Sequence, residues 1–132
     1  MIAIDTNILL RYVVQDDPQA SGQATDLIRQ TLARQENIFI CTLVLVESVW
    51  VLRRVYKFSK PHLLTFIETL LAEPGFEVED SRLAHQAMTQ FRQGEADFSD
   101  YLIGQTAKHR SCSTTYTFDQ GLKKSSAFTL LN

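Results

Sequence analysis

Short apolar runs recur along this chain, and each of the first three is separated from the next by longer stretches with helical spacing. That alternation constrains the fold more than any other feature. Short runs of this kind fit buried strands of a largely parallel sheet, because parallel strands need long crossovers that are usually helices. The candidate strands are Ile2 to Ile4, Ile38 to Ile40, Phe76 to Val78, Ser113 to Thr117 and Ala127 to Leu131. Helices are predicted over Asn7 to Val14, Gln19 to Gln35, Thr42 to Tyr56, Ser59 to Leu71, Asp80 or Ser81 to Phe91, and Phe98 to Lys108. Thr42 and Ser59 are candidate N-caps, Pro61 sits just inside its helix, and Gly94 breaks the one before it. The second helix carries its apolar stripe on Ala20, Ala24, Leu27, Ile28, Thr31 and Leu32.

The resulting order, β-α-α-β-α-α-β-α-α-β-β, describes an α/β domain in three layers. A largely parallel central sheet of about five strands would have helices on both faces. With 132 residues and no linker or repeat, the chain is read as a single domain over 1–132. Hydrophobic residues at 45% and charged residues at 21% set disorder aside. A net charge of −2 advertises no polyanionic partner, so any nucleic-acid binding must come from local basic patches. Cys41 and Cys112 have neither metal-type nor disulfide-dense spacing and are expected to be reduced core thiols. The N-terminus lacks a signal-peptide shape, and no apolar run approaches the roughly 20 residues of a membrane span. A cytoplasmic protein with no membrane association is expected.

In sheets of this type ligands bind beyond the carboxyl ends of the strands, and acids gather there. Asp5 follows the first strand in Asp5-Thr6-Asn7. It is either a helix N-cap or a metal ligand oriented by Thr6 and Asn7. Glu47 lies among apolar neighbours, and helical spacing puts it on one face with Leu43, Trp50 and Val51. Read as a core-facing stripe, that face makes an idle charge cost several kcal/mol. A buried acid serving a site is then favoured over a pair with Arg53 or Arg54. Asp97 and Asp100 fall three apart at the start of a helix, as a capping box, as ligands, or as a cap (Asp97) beside a ligand (Asp100). Asp119 follows the fourth strand in Thr117-Phe118-Asp119, as a loop cap or a ligand.

Gathering such acids is costly: one pair of like charges at 4 Å repels by about 4 kcal/mol at an effective dielectric near 20. A cluster needs protons or divalent cations, and hard oxygen donors select Mg²⁺ or Mn²⁺. Such an ion can activate water against a phosphodiester. His62, His85 and His109 are isolated and make no zinc pattern.

Four segments then carry a resemblance. They are Ile4-Asp5-Thr6-Asn7-Ile8-Leu9-Leu10-Arg11-Tyr12, Leu45-Val46-Glu47-Ser48-Val49-Trp50-Val51-Leu52, Ala96-Asp97-Phe98-Ser99-Asp100-Tyr101-Leu102-Ile103 and Thr117-Phe118-Asp119. In order and separation they resemble the PIN-domain nucleases, in particular the VapC-type toxins of bacterial toxin–antitoxin pairs. The likeness extends to spacers such as Asp16-Asp17-Pro18 and covers essentially the whole chain. It implies a PIN fold, Mg²⁺- or Mn²⁺-dependent endoribonuclease activity, a homodimer, and inhibition by a small VapB-type antitoxin. The family's four acids map to Asp5, Glu47, Asp100 and Asp119, as catalytic residues and metal ligands. Asp97 matches an additional acid of this branch, and Thr117 the polar residue beside the fourth acid. Thr6, Asn7, Asp97 and Thr117 would orient the ligands. The segment Ser111 to Tyr116 is more polar than the family's usual final strand, which leaves that strand's boundary and the role of Thr115 open.

Candidate phosphate contacts are Arg11, Arg54 and Lys108, with Arg53, Lys57, Arg110, Lys123 and Lys124 behind them. Trp50, Tyr56 and Phe58 are candidates for base stacking, core packing or a dimer interface. The apolar stripe Leu63, Leu64, Phe66, Ile67, Leu70 and Leu71 fits core burial, with part of it available to an antitoxin helix. Two rival functions remain. An aspartate-nucleophile phosphotransferase needs a second Asp where Asn7 stands. A non-catalytic RNA- or protein-binding module would use the acids as caps and surface pairs.

Overall fold

Ile38 and Ile40 are fully buried in a strand with a parallel neighbour on each side, which is why this run carries almost no polar residue. The structure, a computed structural model, describes residues 1–132. Eleven elements follow in the expected order, with a 3-10 turn added between the last two strands. They are β1 (Ile2–Ala3), α1 (Thr6–Val13), α2 (Pro18–Ala33), β2 (Ile38–Ile40), α3 (Thr42–Arg54), α4 (Lys60–Ala72), β3 (Phe76–Val78), α5 (Ser81–Gln93), α6 (Phe98–His109), β4 (Thr115–Thr117), a 3-10 turn (Gln120–Leu122) and β5 (Phe128–Leu130). The chain divides into two compact units, residues 1–79 and 80–132.

The first unit is built on a parallel sheet ordered β1-β2-β3. Ile2 aligns with Ile38, and Ile38 with Phe76. In β3, Phe76 and Val78 are buried while Glu77 is exposed, as suits an edge strand with one apolar face. The crossovers are the pairs α1–α2 and α3–α4. Asp17 caps α2, its Oδ1 accepting from the Ala20 N–H at 3.2 Å, and Pro18 opens that helix. Ser59 caps α4 in the same manner, with Pro61 in its first turn. Leu63, Leu64, Phe66, Ile67 and Leu70 of α4 are buried, so this stripe is mainly core.

The second unit packs α5 against α6 and pairs β4 with β5, also parallel, with Thr115 opposite Phe128. The connection between these strands is only the segment 118–127, and a single 3-10 turn takes the place of a crossover helix. The Phe128 side chain packs onto α6 where residue 104 is glycine: a Cβ there would stand 2.6 Å from its ring.

Several expectations are corrected. The five strands are present and all pairings are parallel, but they form a three-stranded and a two-stranded hydrogen-bonded sheet rather than one ladder. In α2 the buried residues are Ser21, Ala24, Ile28 and Thr31, while Leu27 is 41% exposed, so the stripe is rotated by part of a turn and more polar than expected. Its hydroxyls are satisfied within the backbone, Ser21 by Val14 and Thr31 by Leu27. Cys112 is exposed and Cys41 half-buried, so neither is a core thiol. Cys41, not Thr42, occupies the N-cap position of α3.

Candidate active site

Asp5, Asp97, Asp100 and Asp119 stand where strands or loops turn into helices, whereas Glu47 lies in the second turn of α3 and is held by a donor distant in sequence. In the first unit, Asp5 lies just beyond β1 as the N-cap of α1. Its Oδ1 accepts from the Ile8 N–H at 3.0 Å. The neighbouring Thr6 does not orient Asp5; its hydroxyl donates a short hydrogen bond to Glu47 Oε1 across to α3. Asn7 is exposed on the first turn.

Glu47 overturns its expected setting. The face of α3 that packs inward is Val44, Leu45, Ser48, Val49 and Leu52. Glu47 is exposed, on the same side as Leu43 (72% exposed) and Trp50 (57%). The helix is apolar almost all round, so spacing alone did not say which apolar stripe faced inward. The buried stripe is the one that meets β-sheet and helix neighbours; Glu47 sits one step off it. The cost-of-burial argument therefore does not apply, and Glu47 is distinguished by its bond to Thr6. Ser48, the next residue, is fully buried with its hydroxyl unpartnered, as is the hydroxyl of Thr42.

In the second unit, Asp97 is the N-cap of α6, and the Asp100 Oδ2 reaches back to accept from the Asp97 N–H at 3.1 Å. The capping box and the site reading thus share the same atoms. Partial burial pushes the Asp100 carboxyl above its ordinary value. The Asp97 N–H bond opposes that shift, and the negative charges of Asp97 and Asp119 add to it. Asp119 follows β4 and caps the 3-10 turn. Its Oδ1 accepts from the Gly121 N–H at 2.8 Å, and its own N–H donates to Thr117 Oγ1 at 3.0 Å. Thr117 therefore fixes the backbone that carries Asp119, while Thr115 is a ladder residue opposite Phe128.

A common pattern results. Asp5, Glu47, Asp100 and Asp119 each commit one carboxylate oxygen to a donor on the chain, through Ile8, Thr6, Asp97 and Gly121 respectively. The other oxygen of each has no protein partner. Such acids are oriented yet still able to ligate. No group of three or more His, Cys, Asp or Glu side chains stands arranged to hold a metal ion by itself. The fit to a divalent cation rests on donor chemistry: these are hard carboxylate oxygens, and the Asp100 carboxyl, raised first by partial burial, is raised further by the negative charges of Asp97 and Asp119, which a cation would offset.

The sequence reading missed Glu79. It lies directly after β3, and its Oε1 accepts from the Thr42 N–H at 2.9 Å, supplying the side-chain cap that α3 lacks at Cys41. Its position just past a strand was the available signal, the same that marked Asp5. The basic candidates separate clearly. Arg11 is tied to Asp16 at 3.3 Å and Asp17 at 4.0 Å at the α1–α2 junction. Arg54 and Lys108 are exposed in the last turns of α3 and α6, where cations suit the helix dipole. Phe58 makes an edge contact with His62 at 5.9 Å, and Trp50 is largely exposed.

No helix is long and apolar enough to cross a membrane. Compared with known proteins, the chain is similar to a VapC ribonuclease of Aquifex aeolicus (strain VF5). The two are 23% identical over 124 residues, 94% of this chain and 91% of that protein. A family model described as PIN domain matches residues 2–126, running through both compact units and through all of the acids above. With nearly its whole length matched, the chain belongs to the PIN domain family.

Proposed function

We propose that this protein is a divalent-metal-dependent endoribonuclease, the toxin of a VapBC-type toxin–antitoxin pair. The observation that carries the proposal is the shared posture of Asp5, Glu47, Asp100 and Asp119, each with one oxygen fixed and one uncommitted. Family membership and the likeness to a VapC ribonuclease support the same reading. The four acids would be the ligands of Mg²⁺ or Mn²⁺, which when bound supplies charge stabilisation at the phosphoryl group and a more acidic water.

The chain's own residues prepare that chemistry. Thr6 holds Glu47 in one orientation, the Ile8 N–H holds Asp5, and Thr117 with the Gly121 N–H holds Asp119. Asp97 serves as cap and as the backbone donor that fixes Asp100. Hydrolysis adds a water oxygen to phosphorus and releases one ribose oxygen, which takes up a proton. The reading also carries a single domain over 1–132, cytoplasmic location, inhibition by a small antitoxin, and a homodimer. Exposed apolar side chains such as Leu43, Trp50 and Val55 offer surface for such association.

The test is direct. Purified protein is incubated with structured RNAs in Mg²⁺ or Mn²⁺ and in chelator, beside Asp5→Asn. Metal-dependent cleavage lost in the variant is expected; cleavage that persists in chelator or in Asp5→Asn overturns the proposal.

A further inference from the structure

The second unit holds a cavity of about 570 Å³ that the acids do not account for. Its walls include Gln93, Glu95, Tyr101, Gln120, Lys123 and Lys124. The segments that form it are those that carry the acids: Glu95 lies two residues before Asp97, and Gln120 directly follows Asp119. The walls are built rather than incidental. The buried Tyr101 hydroxyl accepts from the Ala96 N–H at 3.2 Å, which pins the turn bearing Glu95. Residue 94 has to be glycine to let that tyrosine in, since a Cβ there would stand 1.8 Å from its hydroxyl oxygen.

The chemistry of the lining is mixed in a specific way. Two lysines without carboxylate partners stand with one carboxylate lacking a cation partner and with amides that both donate and accept. A simple anion fits this poorly, because Glu95 would repel it. A nucleotide fits, with its phosphate toward Lys123 and Lys124 and its base edge toward Glu95 and the glutamines. The size falls in the usual range for a small-ligand site. A carboxylate only accepts hydrogen bonds. Guanine alone presents two adjacent donors, N1–H and the N2 amino group, on its Watson–Crick edge, whereas in the other bases the donor is flanked by acceptors.

We propose that this cavity receives one unpaired guanosine nucleotide of the RNA substrate beside the cleaved bond, with Lys123 and Lys124 on its phosphate and Glu95 on its base. The inference rests on the nuclease reading and adds to it a subsite and a base preference. Splayed single-stranded bases are the usual target of sequence-specific RNA recognition.

The experiment is a binding assay in chelator, so that it does not depend on hydrolysis. Labelled hexauridine and hexamers with one guanosine, adenosine or cytidine are titrated by fluorescence anisotropy, with melting curves recorded for every variant. The guanosine oligomer should bind about tenfold more tightly than hexauridine. Glu95→Gln should bring that ratio near one with its melting temperature unchanged. The double variant Lys123→Ala/Lys124→Ala should weaken all four oligomers, and it should lower the slope of log affinity against log salt by about 0.7, the value for one phosphate on single strands. Equal binding of the four oligomers by the wild-type protein overturns the inference, as does an unchanged slope in the lysine variant. So does a hexaglutamate peptide that binds more tightly than RNA, which would make the lysines a protein-docking site. A guanosine preference without metal-dependent cleavage refutes the nuclease reading alone. Cleavage by the wild-type protein, with affinity and preference unaltered in both variants, refutes this inference alone.

Discussion

Replacing Asp100 with asparagine removes a negative charge that the metal-free fold holds at a cost. Burial and the charges of Asp97 and Asp119 raise the carboxyl's proton affinity in the folded state, and only the Asp97 N–H works against them. A raised folded pKa means that stability is greatest below the unfolded value. It falls as pH rises through the interval up to the folded value, and the penalty is complete above it. At pH 7 the wild-type protein bears the whole of it. Like charges at partly exposed positions each contribute some tenths of a kcal/mol, and the asparagine oxygen can keep the bond to the Asp97 N–H. The net gain for Asp100→Asn is about 0.5–1 kcal/mol, or about 2–4 °C in melting temperature for a chain of this size. The assay is thermal unfolding in chelator at pH 7 and again near pH 3, where the carboxyl is protonated and the difference should vanish. Adding Mn²⁺ should raise the wild-type melting temperature more than the variant's, and RNA cleavage by the variant should be lost. A variant less stable than wild type in chelator at pH 7, or a gain that persists unchanged at pH 3, would refute the reasoning.

Other consequences follow from single contacts. Thr6→Val deletes the donor to Glu47 and should reduce cleavage about tenfold with less than about 1 kcal/mol lost in stability, while Thr6→Ser keeps both, as measured by single-turnover kinetics and urea titration. Ser48→Ala removes a fully buried hydroxyl that has no partner, so denaturant unfolding should show a gain of about 1 kcal/mol. Gly104→Ala forces a Cβ against the Phe128 ring and should cost about 1–3 kcal/mol, read by the same titration; a neutral result would mean that the ring has room to swing away.

Much of the architecture was legible in the primary structure. The strand runs Ile38–Ile40 and Phe76–Val78 were predicted with their observed bounds, because a short apolar run between helical patterns has few alternatives. The cap at Ser59 and the helix end at Gly94 also follow from local chemistry, since a cap needs only its own residue and the next turn. Asp5, Asp97 and Asp119 were recognisable as acids at strand ends and helix starts for the same reason. The reading of Glu47 as a buried acid fails. Its helix is apolar on nearly every side, so the choice of buried face depended on what packed against it, and that is not written in the helix itself.

The sequence by itself therefore determined the order of the strands and long helices, the cap at Ser59 and the placing of acids at strand ends and helix starts, all of which depend on contacts a few residues long. Tertiary structure decided which face of α3 is buried, that Thr6 serves Glu47 rather than Asp5, and that the strands hydrogen-bond as two ladders. It also brought Glu79 to the start of α3 and shaped the cavity beside Glu95. The physical reason is common to these cases: each joins or packs groups far apart along the chain, and local spacing carries no information about which distant partner will arrive.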